Sequence, residues 1–112
     1  MKLRRLTALL EDSPDATIVV DARGRIEEWN PAAEALFGWT ADEVVGLQVP
    51  PMVPAEEEAD FRARFAEIRA TGQVKINEIS RLRKDGARIS LIASGGLRRD
   101  ASGAPIGFVM VY

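Results

Sequence analysis

The chain has no cysteine and no histidine among its 112 residues. The first absence excludes disulfides, thiolate metal sites and cysteine nucleophiles. The second removes the commonest general base, the commonest nitrogen ligand for metals and the side chain that titrates near neutrality. An excess of one charge is missing as well: 15 Lys and Arg against 17 Asp and Glu leave a net charge of −2, which gives no general field for nucleic acid or anionic lipid. No apolar run approaches the roughly 20 residues of a membrane span, and no signal-peptide pattern opens the chain. A cytoplasmic location, without nucleic acid or direct membrane contact, is therefore expected. The five scattered serines at 13, 80, 90, 94 and 102 have no triad context, so no catalytic residue, no enzyme activity and no metal site are expected.

The residues present suit one domain with one core. Residues 1–13 read as an N-terminal amphipathic helix and linker, with Leu3, Leu6 and Leu10 at i, i+3 and i+7. So short a helix is marginal alone, which favours packing on a second copy, a homodimer interface. Thr17–Val20 and Arg25–Trp29 read as a β-hairpin about the turn Asp21–Gly24. Asn30 and Pro31 write a helix start, Gly38 a stop, and Thr40 with Glu43 a capping box for a second short helix that Gly46 ends. The proline-rich run 47–54 resists helix. From Ala55 a long helix carries Phe61, Phe65 and Ile68 on one stripe and ends at Gly72. Three strands follow, from Val74, from Arg88 and from Ile106, with a bulge expected at Gly95-Gly96. The last strand is apolar on both faces and belongs in the middle of the sheet. The whole predicts an α+β fold: a five-stranded antiparallel sheet with helices packed on one face.

This order, with D-A-R-G-R-I-E-E-W-N-P-A-A-E-A-L-F-G-W-T-A-D-E-V-V-G at 21–46, R-L-R-K-D-G at 81–86 and G-A-P-I-G-F-V-M-V-Y at 103–112, resembles a PAS domain, the sensory module of many signalling proteins. The resemblance covers about residues 7–112. It implies a sensor domain at 14–112 that stops just before the family's usual link to a signalling helix. The effector domain would then lie in the same full-length chain: a histidine kinase of a two-component system, a cyclic-dinucleotide enzyme or a transcriptional regulator. The alternative is a structural homodimerisation module with a filled core.

The family's cofactors are narrowed by the missing side chains. The light-sensing flavin branch uses a cysteine, and this chain has none. The haem branch uses a histidine on the long helix, a place taken here by Phe61, and an arginine at the place of Asn77. Cysteinyl flavin and histidine-ligated haem are thus excluded, while a noncovalent flavin or a small organic ligand stays open. The pocket expected between helix and sheet is lined by Met52, Phe61, Phe65, Ile68, Asn77, Ile79, Leu91, Ala93, Val109 and Val111, with Asn77 as its polar group. Packing of the same side chains into a solid core is the competing expectation. Arg81, Arg83, Lys84 and Arg88, with Arg98 and Arg99, read either as an anion site or as a solvated basic edge.

Overall fold

The computed structural model describes residues 11–48 and 50–112. Five strands, β1 (Thr17–Asp21), β2 (Ile26–Trp29), β3 (Gln73–Leu82), β4 (Arg88–Arg99) and β5 (Pro105–Val111), form one antiparallel sheet in the order β2-β1-β5-β4-β3. Helices α1 (Pro31–Phe37), α2 (Ala41–Val44) and α3 (Glu58–Thr71) lie between β2 and β3 in the chain. The proposed N-terminal helix, with Leu3, Leu6 and Leu10, lies outside the described residues.

The helix signals act as written. Asn30 Oδ1 accepts from Ala33 N at 2.9 Å, capping α1, and also from Thr17 N at 2.9 Å. Its amide donates to Asp15 O at 2.8 Å. One side chain therefore both starts the helix and ties it to β1. Gly38 ends α1 in the left-handed region at φ 94°, where a Cβ is costly. Glu43 Oε1 receives the Thr40 N–H at 2.9 Å, the return half of the capping box. Ala55–Glu57 forms a 3₁₀ turn, so the regular helix begins three residues later than expected.

β5 is bonded to β1 on one side and β4 on the other, so the expected central strand is central. Gly95-Gly96 makes no bulge. Gly95 pairs in register with Val74 and Met110, and a Cβ there would come within 2.5 Å of Met110 Sδ and 2.9 Å of Ile68 Cδ1. Its missing side chain makes room for the core. In β3 and β4 the register shifts instead between Ile76 and Ile79 and between Arg98 and Arg99. The first shift sets two residues, Asn77 and Glu78, against Ile92 alone.

Candidate functional site

The space between α3 and the sheet is walled by large apolar side chains. Phe61, Phe65 and Ile68 face it from one stripe of α3, and all three are buried. Phe61 and Phe65 meet edge to face at 4.9 Å, and Phe65 stacks on Phe108 at 4.8 Å. Met52, Ile79 and Ala93 belong to the same buried cluster, and Leu91 packs against it half-buried.

Three expected lining residues lie elsewhere. Asn77 is exposed, because it sits in the β3 bulge. Val109 and Val111 are half-buried and stand outside the core cluster. Side chains alternate along a strand, so Phe108 and Met110 hold the core face of β5 and the two valines hold the opposite one. Both faces of β5 are apolar, and the alternation alone could not say which was inner. Side-chain bulk was the available signal, since the aromatic and the methionine take the deeper side. Trp29 is buried, and its indole N–H donates to Trp39 O at 2.9 Å, so this pair fastens β2 to the segment after α1.

The basic cluster divides on inspection. Lys84 pairs with Glu43 at 2.7 Å, Arg88 with Glu56 at 2.6 Å and Arg98 with Glu27 at 3.1 Å. The Glu43 carboxyl is held below its ordinary value, first by the hydrogen bond from Lys84 and then by that from the Thr40 backbone. The exposed Lys84 and Arg88 pairs contribute little each, whereas the Arg98 side chain is only 14% exposed and also reaches Val20 O at 3.4 Å.

Arg81 differs from its neighbours. Its side chain is only 3% exposed, because two steps from Ile79 it returns to the core face. Nη1 donates to Ser80 O at 2.9 Å and approaches Glu57 Oε1 at 3.4 Å. The guanidinium carbon lies 5.8 Å from the Phe61 ring centroid. Among the described residues its Nε has no acceptor, and the hydroxyl of the half-buried Tyr112 lies beside the same guanidinium. Burial raises the Tyr112 phenol above its ordinary 10.0, with the Arg81 charge and a hydrogen bond from Arg81 pulling the other way. The Tyr112 ring meets Phe37 edge to face at 5.4 Å. The polar group of this interior is thus an arginine–tyrosine pair, where the sequence had suggested Asn77. The period of two running from Ile79 to Arg81 was the signal that could have found it.

Comparison with known proteins agrees with this architecture. A family model described as the PAS fold matches residues 4–112. Sensor protein FixL of Bradyrhizobium diazoefficiens is 33% identical over 110 residues, 93% of this chain and 22% of that protein. Sensor histidine kinase TmoS of Ectopseudomonas mendocina is 29% identical over 94 residues, 83% of this chain and 10% of that one. The chain therefore spans less than a quarter of the length of either relative. Among solved structures, the PAS domain of a Colwellia psychrerythraea protein superposes with a TM-score of 0.85 at 20% identity, covering 99% of this chain and 94% of that one. A domain of a sensory box sensor histidine kinase/response regulator from Geobacter sulfurreducens gives 0.78 at 21% identity, over 98% and 92%. At that identity the structural likeness is one of fold. With the family match spanning nearly every residue and the strand order observed, this chain belongs to the PAS family.

Proposed function

We propose that this domain is the sensory module of a longer signal-transduction protein, of the sensor histidine kinase kind, in which a change in its interior or its dimer state is passed to an effector domain of the same chain. The observation that carries this reading is the position of Tyr112. Its N–H donates to Ala16 O at 2.9 Å, so the start of β1 and the end of β5 are joined at one point. Its ring lies in the interior against Phe37. Whatever repacks that interior bears on both connections of the domain together. A few kcal/mol of differential binding between two such packings suffices for a signal. The dimer in this reading forms through Leu3, Leu6 and Leu10.

The test joins residues 1–112 to the catalytic region of a histidine kinase and compares autophosphorylation for the intact domain, for Tyr112→Ala and for a deletion of the domain. Rates differing several-fold support the sensory role, and three equal rates overturn it.

A second reading, a homodimerisation module with a filled core, is favoured by the packing of Phe61, Phe65 and Phe108. Thermal melting against small organic molecules, flavin mononucleotide included, separates the two, since a ligand that enters the folded state raises the melting temperature. Both readings expect Leu6→Asp to give a monomer by light scattering; an unchanged dimer mass would remove the N-terminal interface from either.

A further inference from the structure

We infer that the surface cavity where the β1–β2 turn, the last turns of α3 and the start of β5 meet is a binding site for a small monocarboxylate, whose compact apolar body enters the cavity while its carboxylate pairs with Arg69. This goes beyond the sensory reading above, which the kinase fusion tests by itself.

Ala22, Arg69, Leu97, Pro105, Gly107 and Phe108 line a cavity of about 190 Å³. It opens at the margin of the packed core. Ala22, Arg69 and Pro105 are exposed and Leu97 is half-buried, while Gly107 and Phe108 are buried. The room is enough for one ring, since an apolar cavity of about 150 Å³ holds benzene. Small residues keep it open. Ala22 offers only a methyl group at the turn. Gly107 brings β5 close against β1: a Cβ there would run into Val20 O and lie 3.1 Å from Asp21 Cα. Helix spacing then brings Phe65 and Arg69, four residues apart on α3, to one ring. Phe65 stacks on Phe108 at 4.8 Å, and the Arg69 guanidinium carbon lies 5.1 Å from the Phe108 centroid. Among the described residues, Arg69 is the only charged side chain lining the cavity, and it pairs with no carboxylate. Its Nη2 reaches Ala22 O at 3.4 Å. A guanidinium has five N–H donors, so that long bond leaves most of them for a ligand. Lying over a ring, it keeps its N–H edge for an anion, and a carboxylate accepts two parallel bonds there. One permanent positive charge beside apolar walls matches a monoanion with an apolar body. A phosphate would bring a second charge without a second cation lining the cavity.

The experiment titrates the ¹⁵N-labelled domain with sodium benzoate at fixed ionic strength and follows the Gly107 and Phe108 amides and the Arg69 Nε–Hε resonance. Benzamide, which has the body without the charge, and sodium acetate, which has the charge without the ring, are the controls. Benzoate is expected to shift these resonances saturably, with half-saturation at about 10 mM or below. Each control binds at least fivefold more weakly. Arg69→Gln lowers benzoate to the level of benzamide. Ala22→Leu fills the cavity, keeps Arg69 and abolishes binding. Both positions are exposed, so both variants are expected to fold, and an unchanged melting temperature checks this. Gly107 and Phe108 amides unmoved by benzoate overturn the proposal. So does benzoate binding unchanged in Arg69→Gln, which removes the carboxylate class. Acetate bound as well as benzoate means an adventitious ion only. Binding that persists in Ala22→Leu places the ligand elsewhere. None of these outcomes alters the sensory reading, on which only the kinase fusion bears.

Discussion

Between α3 and β5, Phe65 lies stacked on Phe108 at 4.8 Å, with Phe61 edge-on beside it. At the end of β5, under the same sheet, a buried Arg81 and a half-buried Tyr112 stand side by side, and among the described residues Arg81 Nε has no acceptor. The first region is stabilised by its contents, through apolar burial at close packing. The second keeps a charge and a hydroxyl where apolar side chains would serve stability better. Two regions of one core thus respond oppositely to the removal of side-chain groups, which teaches that depth of burial alone does not measure what a residue contributes.

Substitutions can break or sharpen that contrast. The largest effect is expected for Phe65→Ala, which leaves a cavity against both Phe61 and Phe108 and should cost about 3–5 kcal/mol in urea unfolding; a loss under 1 kcal/mol would mean that this end is not tightly packed. Next, Glu57→Gln weakens the carboxylate contact of Arg81 and should cost about 1–3 kcal/mol, whereas an exposed pair would lose almost nothing. Replacing both partners, Arg81→Met together with Glu57→Leu, should be neutral or more stable by about 1–2 kcal/mol, the opposite sign from Phe65→Ala; a loss of several kcal/mol would end the comparison. Tyr112→Phe should raise stability slightly, by about 0.5–1 kcal/mol, and should also change the alkaline limb. The folded-state value of Tyr112 is raised above 10.0. Its contribution is therefore fully present below pH 10 and is lost as pH rises through the raised value, a loss absent from the phenylalanine variant. The smallest effect is at the surface. Glu43 is depressed below 4.5 by Lys84 and the Thr40 N–H. Its contribution is present above about pH 4.5 and fades as pH falls through the folded value, and Glu43→Gln should flatten that part of the melting-temperature profile.

The fold was legible because its punctuation is local. Asn30, Pro31, Gly38, Thr40, Glu43 and Gly72 each act on the backbone within a turn of themselves, and each does in the structure what its side chain permits. The interior was only partly legible. The stripe of Phe61, Phe65 and Ile68 is dictated by helix period and lies where expected. Strand faces are set by parity, and parity survives only while the register does. Asn77 is exposed because the β3 bulge begins at it. Val109 and Val111 failed for another reason: β5 is apolar on both sides, so alternation did not distinguish inner from outer and only the bulk of Phe108 and Met110 did. Arg81 lay inside a run of basic residues in which Lys84 and Arg88 do face solvent, and composition hid the one that does not.

The β3 bulge has a consequence for how such a chain can change in length. Before it the paired residues of β3 and β4 follow one register, and after it they follow another offset by a single residue. Loss of one codon at Asn77 would merge the two into an unbroken ladder, with Ile76, Ile79 and Arg81 still turned inward. One codon lost from the regular stretch Ser80–Leu82 would instead shift the chain beyond it to the wrong face. This position is therefore where β3 can shorten by deletion without turning Arg81 out of the core.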